Sequence, residues 1–201
     1  MASITDLPIE FVGSFPDPRQ RLAPILPEIA VLGRSNVGKS TLINAVVGRR
    51  IARTSGTPGK TQHLNVFRFP TFYLIDLPGY GYAKLSLSER RRLRALVYDT
   101  VVGRTDLAAV MWLLDIRHPP SKDDLAMRDL LAESKRETIV ILTKSDKLPQ
   151  AQRLAAVRAR AVDLEVDAED VVVTSATKGT GLEELGELML EAVAGESRSR
   201  P

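Results

Sequence analysis

The sequence of 201 residues contains no cysteine and only two histidines, His63 and His118. Disulfides and thiolate metal sites are therefore excluded, and a bound metal would need mostly oxygen donors, which suits Mg²⁺ better than zinc. No apolar run approaches the roughly 20 residues of a membrane-spanning helix. The start, MASITDLPIE, has neither the basic segment nor the apolar stretch of a secretion signal. We therefore expect a cytoplasmic protein that does not contact a membrane.

The net charge is only +3, but the charges are unevenly distributed. Residues 1–100 carry 14 basic and 7 acidic side chains, whereas residues 101–201 carry 14 basic and 18 acidic ones. The chain has 20 arginines and 8 lysines. Arginine is the better residue for bidentate phosphate contacts, although a coding bias would also explain the excess. The first half is therefore the part suited to anions.

Apolar runs alternate with helix-length segments, which is the pattern of a parallel sheet covered by helices. The predicted strands are Ile29–Leu32, Leu64–Phe69, Phe72–Ile75, Ala108–Leu114, Thr138–Leu142 and Val171–Thr174. The predicted helices are Lys39–Val47, Ser88–Val102, Ser121–Ser134, Ala151–Val162 and Leu182–Ala194. Most of the strands are apolar throughout, as strands buried on both faces are, whereas Leu64–Phe69 alternates and is predicted at an edge. The sequence thus indicates an α/β fold with a mostly parallel, six-stranded sheet and helices on both faces.

The boundaries follow from capping residues and composition. Ser88 and Ser121 are predicted N-caps, and Pro149 precedes the fourth helix. Residues 28–195 are predicted to form one domain, on which an extension of residues 1–27 packs. Residues 196–201 have no apolar anchor and are predicted to be a disordered tail.

The strongest motif is GRSNVGKS, from Gly33 to Ser40, which fits the pattern G-x-x-x-x-G-K-[ST] between a strand and a helix. Glycines allow such a loop to curl around phosphates, so that backbone N–H groups and the helix N-terminus point at them. In this arrangement Lys39 reaches the outer phosphates and Ser40 binds Mg²⁺. The motif predicts nucleotide binding.

Three further elements follow in chain order, each at the carboxyl end of a predicted strand, where ligands of such sheets collect. In Asp76-Leu77-Pro78-Gly79, Asp76 would hold Mg²⁺ through water and the Gly79 N–H would meet the terminal phosphate. In Thr143-Lys144-Ser145-Asp146, the carboxylate would accept hydrogen bonds from guanine N1 and N2, which adenine cannot offer. Ser175-Ala176-Thr177-Lys178 would supply backbone N–H groups to the base carbonyl.

The motifs in detail resemble those of the EngB family, also called YsxC or YihA. The resemblance covers roughly residues 9–190 and is carried by GRSNVGKSTLIN, ARTSGTPGKTQHLN, DLPGYGYAK, LLDIRHPPSKDD and TKSDKL. It implies a Ras-like G domain of the P-loop NTPase class. It also implies a GTPase that assists large ribosomal subunit assembly and is linked to normal cell division and septation.

The resemblance also implies which residues act. Composition alone cannot choose among Thr54, Thr57 and Thr61 as the threonine that binds Mg²⁺, but the family's GKTQ element selects Thr61. Mg²⁺ would then be held by Ser40 and Thr61, with Asp76 acting through water. The predicted nucleotide-binding residues are Gly33, Arg34, Ser35, Asn36, Val37, Gly38, Lys39, Ser40, Thr41, Gly59, Lys60, Thr61, Gln62, His63, Asp76, Leu77, Pro78, Gly79, Thr143, Lys144, Ser145, Asp146, Thr174, Ser175, Ala176 and Thr177.

The predicted catalytic residues are Lys39, Asn36 and Thr61. Many GTPases place a glutamine after D-x-x-G to orient the attacking water, but this chain has Tyr80, so intrinsic hydrolysis should be slow. Related GTPases with an asparagine at the position of Asn36 bind K⁺, which supplies positive charge during hydrolysis. K⁺ is therefore a second candidate ion, and a group donated by the ribosome is the alternative.

A basic run, Glu89-Arg90-Arg91-Arg92-Leu93-Arg94, follows the DLPGYGYAK segment at the start of a predicted helix. On a helix Arg90 and Arg94 share a face with Arg91 beside it, which suits either a solvated surface or a contact to rRNA phosphates. Arg49, Arg50, Arg53 and Lys60 would extend such a patch. Asp115 and Arg117 are predicted to form a pair, and Trp112 to lie in the core.

Three functions are compatible with these observations. The first is a monomeric switch that binds GTP or GDP and acts on a large-subunit precursor made of rRNA and ribosomal proteins. The second is a GTP-dependent scaffold on the ribosome or the division machinery, with incidental hydrolysis. The third is a P-loop ATPase or nucleotide kinase, which would be excluded if Asp146→Asn shifted the base preference from guanine toward xanthine.

Overall fold

The computed structural model describes residues 3–52, 63–82 and 85–199. Its strands are β1 (Glu10–Phe15), β2 (Glu28–Gly33), β3 (Leu64–Arg68), β4 (Tyr73–Asp76), β5 (Leu107–Asp115), β6 (Glu137–Thr143) and β7 (Val171–Val173). Its helices are α1 (Lys39–Val46), α2 (Leu87–Val101), α3 (Lys122–Ser134), α4 (Gln150–Leu164) and α5 (Leu182–Ser199). The α/β class and the alternation of strands and helices are confirmed.

The strands form one sheet in the order β1-β3-β4-β2-β5-β6-β7. The neighbouring pairs β4–β2, β2–β5, β5–β6 and β6–β7 are parallel, whereas β3 pairs antiparallel with both β1 and β4. Every residue of β2 is buried, and so is every residue of β5 except the last. Two apolar clusters, one on each face, cover the sheet. Continuous apolar strands therefore occupy its centre, as expected for strands buried on both faces.

The predicted count of six strands is wrong, because β1 was missed. Its sequence, EFVGSF, contains Gly13 and only half-buried or exposed residues, so it lacks the apolar pattern of the central strands. The ladder also shifts register between Phe11 and Gly13. The prediction of Leu64–Phe69 as an edge strand is wrong for the same reason. β1 covers the outer side of β3, so that β3 lies inside the sheet.

One of the two predicted N-caps is wrong. The cap of α2 is Ser86 rather than Ser88, because Ser86 has extended backbone and its hydroxyl accepts a hydrogen bond from the N–H of Glu89. Glu89 in turn accepts a bond of 2.8 Å from the Ser86 N–H. The spacing S-x-x-E is the signature of this capping box. The predicted cap of α3 at Ser121 is confirmed.

The segment before β2 is tied to the sheet by polar contacts. Arg104 is buried, its Nη2 lies 2.6 Å from Glu28 Oε1, and its Nη1 donates to the carbonyl of Pro18. The hydroxyl of Tyr73 donates to the carbonyl of Pro24. At the other end, α5 continues to Ser199, into the segment for which a tail is predicted. The division into an extension, a domain and a tail remains a prediction.

Candidate functional site

The phosphate-loop motif lies between the end of β2 and the start of α1, as predicted. Gly38 has φ +104°, a conformation that side chains rarely adopt, and Asn36 has φ 64°. A Cβ on Gly33 would lie 2.9 Å from the carbonyl oxygen of Leu113 on β5. The loop therefore needs a glycine at 38 for its shape and at 33 for the close approach of a neighbouring strand.

The loop surrounds a small cavity of about 170 Å³. Such a volume fits a phosphate group rather than a whole nucleotide. The residues that line it are Arg34, Ser35, Asn36, Gly38, Lys39, Ser40, Thr41 and Gly79. All eight belong to the predicted nucleotide-binding set, and they come from two motifs that are distant in the sequence.

Lys39 forms an ion pair with Asp76, and both side chains are largely buried. Lys39 is the first residue of α1 and Asp76 the last of β4, and β4 is the direct neighbour of β2. The pair therefore brings together the two charged groups that the sequence assigns to the phosphates and to the metal.

The donors at this place suit Mg²⁺. Ser40 lies in the first turn of α1, next to Lys39, whose amine pairs with the Asp76 carboxylate at the end of β4. A hydroxyl and a carboxylate are hard oxygen ligands of the kind that Mg²⁺ takes, together with water and substrate phosphates. The predicted third residue, Thr61, lies outside the described residues, as do Gly59, Lys60 and Gln62. His63 is described and is exposed, directly before β3.

The segment after Asp76 runs along the phosphate loop and is bonded to it. The Ser35 N–H donates to the carbonyl of Tyr80 at 2.8 Å, and the Tyr80 N–H donates to the carbonyl of Gly33 at 3.3 Å. A Cβ on Gly79 would lie 2.8 Å from the Ser35 nitrogen, which leaves no room for any side chain. Gly79 thus forms a wall of the cavity because it has no side chain.

The side chain of Tyr80 is buried in the core and is directed away from the cavity. Its hydroxyl bonds to Asp124 and Trp112, which lie on α3 and β5. The predicted core position of Trp112 is confirmed, because its side chain is almost wholly buried. The partnership with Asp124 was not predicted. The only signal for it in the sequence is the spacing Ser121-x-x-Asp124, which indicates a helix cap rather than a link to this segment.

The predicted base-recognition segments meet at the ends of β6 and β7. The Ser145 N–H donates to the carbonyl of Thr174, and the Ser175 hydroxyl donates to Asp146 Oδ1 at 2.7 Å. This hydrogen bond lowers the pKa of Asp146, so that the carboxylate is charged at neutral pH. An ionised carboxylate accepts hydrogen bonds only, which matches the two donors of guanine.

Two residues connect this segment to the phosphate loop. The Thr143 hydroxyl contacts the carbonyls of Val37 and Leu114, at 2.8 and 3.1 Å. The Lys144 amine donates to the carbonyl of Asn36 at 2.7 Å. These contacts therefore hold the predicted base-recognition segment and the phosphate loop in a fixed relative position. The motifs themselves do not indicate these contacts.

The predicted pair between Asp115 and Arg117 is confirmed. Arg117 Nε lies 2.9 Å and Nη2 2.7 Å from the Asp115 carboxylate, and Lys144 Nζ lies 3.0 Å from it. Burial alone would raise the pKa of Asp115, but the hydrogen bonds from Arg117 and Lys144 outweigh it and lower that pKa strongly. Asp115 therefore orients Lys144.

A second cavity, of about 640 Å³, lies between α2 and α3. Its lining is mostly apolar and includes Leu85, Leu93, Val97 and Met127. It borders the end of the Tyr80 segment but contains no residue of the phosphate loop. It therefore contributes no group to the chemistry described above.

The fold and the site define a P-loop GTPase of the Ras-like kind. A family model described as "50S ribosome-binding GTPase" matches residues 28–144. The probable GTP-binding protein EngB of Heliobacterium modesticaldum is 44% identical over 183 residues, which cover 90% of this chain and 89% of that protein. The EngB protein of Anoxybacillus flavithermus is 42% identical over 180 residues, which cover 88% of this chain and 93% of that protein. The chain belongs to the EngB family of GTP-binding proteins and is a GTP-hydrolysing enzyme.

Solved structures agree with this assignment. The crystal structure of a probable GTP-binding protein EngB has a TM-score of 0.70 and 25% identity, and the match covers 86% of this chain and all of that one. The GTPase Era of Aquifex aeolicus, bound to GDP and aluminium fluoride, has a TM-score of 0.68 at 23% identity over 84% of this chain and 57% of that one. The Era match bears on the fold alone.

Proposed function

We propose that this GTPase is a nucleotide-controlled switch in the assembly of the large ribosomal subunit. The observation that carries the proposal is the place of the basic run. Arg90, Arg91 and Arg94 are exposed on the first turns of α2, a few residues after Tyr80, which is bonded to the phosphate loop. The family model's description, which names the 50S ribosome, supports the same partner.

The helix that carries these arginines is fixed to the sheet by its opposite face. Leu93 and Leu96 are buried in the core, as the helical spacing predicts. Arg94 Nη2 lies 3.4 Å from Asp123 at the surface, a contact that solvent screens and that rRNA phosphates can replace. The arginine face is therefore available to a polyanion.

The proposed coupling passes through the short link between Tyr80 and α2. A terminal phosphate beside Ser35 would compete with the Tyr80 carbonyl for the Ser35 N–H, so the segment would move when GTP replaces GDP. Because α2 begins at Leu87, a displacement of this segment changes how the arginines are presented. Loss of the terminal phosphate would also release the loop that contains Thr61, which makes GTP binding an ordering event.

The proposed roles in hydrolysis follow from the charges. Lys39 binds the outer phosphates and stabilises the charge that builds up on them, while Ser40, Thr61 and Asp76 hold Mg²⁺. Bound Mg²⁺ would neutralise phosphate charge. Asn36 is exposed at the cavity, where its side chain would bind K⁺. Tyr80 cannot orient the attacking water, because its side chain is buried away from the cavity.

Further parts of the proposal concern the cell. We infer a cytoplasmic monomer, and a role in normal division and septation that follows from ribosome assembly. Among the described residues, no helix is long and apolar enough to cross a membrane. A GTP-dependent scaffold with incidental hydrolysis is the competing function.

Turnover of GTP in K⁺ or Na⁺ buffer, each with and without purified large-subunit precursors, tests the proposal. We expect K⁺ to raise the rate about tenfold over Na⁺, because the proposed site at Asn36 holds K⁺ in preference to the smaller Na⁺ and the bound positive charge stabilises the transition state. Precursors should raise the rate further. Asn36→Ala should lose most of the K⁺ response. Gln20→Ala is the matched control and should keep it, because this exposed amide lies near the start of β2, whereas the phosphate loop follows the end of β2.

Equal rates in K⁺ and Na⁺ would exclude the role of Asn36 in ion binding. Precursors that bind the protein without changing its turnover would favour the scaffold function instead.

A further inference from the structure

The hydroxyl of Tyr80 is held from two sides in the core. It donates a hydrogen bond of 2.8 Å to Asp124 Oδ1 and accepts one of 2.9 Å from the indole N–H of Trp112. Burial, together with the nearby Asp124, raises the pKa of this phenol well above its usual value. The hydroxyl therefore stays protonated and can keep donating at any physiological pH.

Both partners of this hydroxyl belong to rigid parts of the fold. Trp112 lies in the middle of β5, between β2 and β6. Asp124 is buried in the first turn of α3, and its Oδ2 accepts hydrogen bonds of 2.8 and 2.6 Å from the N–H and the hydroxyl of Ser121. Neither partner can follow Tyr80 if it moves, so they act as fixed anchors.

The backbone of the same residue is bonded to the phosphate loop. Its N–H and carbonyl bond to Gly33 and Ser35 of the phosphate loop, and its neighbour Gly79 is a wall of the cavity. Arg34 extends the connection, because its Nη1 lies 3.9 Å from Asp124 Oδ2. One residue thus joins the cavity wall to β5 and α3.

We propose that Tyr80 is a positioning residue for GTP hydrolysis, whose anchored hydroxyl fixes the position of Gly79 against the phosphates. The contacts of the backbone with Gly33 and Ser35 lie next to Gly79, at the wall of the cavity in which the terminal phosphate would bind. The hydroxyl contacts lie on the opposite side of the residue and persist when those backbone contacts change. The hydroxyl contacts therefore limit how far Gly79 can move away from the phosphates. A displacement of Gly79 by a fraction of an ångström would lower the rate of hydrolysis more than the affinity for the nucleotide.

The variant Tyr80→Phe tests this proposal, because it keeps the ring in the core and removes only the oxygen. We expect kcat for GTP to fall about tenfold, since Gly79 is no longer held, while KM for GTP and Kd for GDP change less than about twofold. Rates are expressed per molecule that binds GDP, so that any unfolded fraction does not count. Trp112→Phe removes the second anchor and should lower kcat in the same direction, again without raising KM.

The matched control is Tyr73→Phe. Tyr73 is also buried and its hydroxyl donates a hydrogen bond of 3.0 Å to the carbonyl of Pro24, but it faces away from the cavity. This variant should leave kcat and KM unchanged. The proposal is overturned if Tyr80→Phe has the kcat of Tyr73→Phe, or if its kcat falls only in proportion to a loss of GDP binding, since Tyr80 would then serve stability alone.

Discussion

Replacing Asp146 with asparagine is expected to weaken GTP binding by about three orders of magnitude and to create a preference for xanthine nucleotides. In the predicted role, the carboxylate would accept hydrogen bonds from two donors of guanine, whereas the asparagine amide would offer one acceptor and place a donor against the guanine amino group. Xanthine carries a carbonyl there, so it accepts the hydrogen bond that the amide donates. Competition between GTP and XTP for the purified variant measures the change.

The control for this prediction is Asp129→Asn on α3. Asp129 is exposed and forms an ion pair with Arg128 on the same helix, so the same loss of charge should not alter nucleotide preference. The assignment of Asp146 to the base would be wrong if the Asp146 variant still preferred GTP. It would also be wrong if the variant lost GTP binding and gained none for XTP.

Replacing Gly79 with alanine is expected to lower kcat for GTP hydrolysis at least about 100-fold while GDP binding is retained. The new Cβ would lie 2.8 Å from the Ser35 nitrogen and 3.0 Å from its Cα, and backbone atoms cannot yield as a flexible side chain does. The segment would be forced away from the phosphate loop. The Gly79 N–H could then no longer reach the terminal phosphate.

Single-turnover hydrolysis, together with a separate measurement of GDP affinity, distinguishes a loss of catalysis from a loss of nucleotide binding. Gly195→Ala is the matched control, because a Cβ there would meet no described atom beyond its own helix within 4 Å and alanine favours a helix. If the Gly79 variant hydrolysed GTP as fast as the Gly195 variant, the prediction would be wrong. The displacement of the segment from the phosphate loop would then not impair hydrolysis.

Most of the fold could be predicted from the sequence, because its signals are local. Strands such as β5 are apolar throughout, and a strand buried on both faces needs no partner to be identified. The failures at β1 and β3 have one cause. Glu10–Phe15 is stabilised by its pairing with β3, which is a tertiary contact, rather than by a pattern of its own.

The parts of the candidate site that consist of sequence motifs could be predicted, whereas the contacts that depend on tertiary packing could not. The glycines of the phosphate loop, Lys39 and Asp76 lie together because a parallel sheet brings its strand ends to one edge. The bond from the Tyr80 hydroxyl to Asp124 joins residues 44 positions apart and belongs to no motif. The same holds for the contact of Thr143 with Val37, which depends on how the loops pack.

In the proposed function, the nucleotide controls contact with a large-subunit precursor through α2. Co-sedimentation of the protein with purified precursors, at low and high salt, tests it when the protein is loaded with GDP or with a non-hydrolysable GTP analogue. We predict that the GTP form binds at least about tenfold tighter, and that reversal of Arg90, Arg91 and Arg94 to glutamate abolishes this difference. Reversal of Arg21, Lys135 and Arg158, which are exposed and lie outside α2, changes the charge by the same amount and should preserve the difference. Equal binding of both nucleotide forms, or full binding by the α2 variant, would contradict the account.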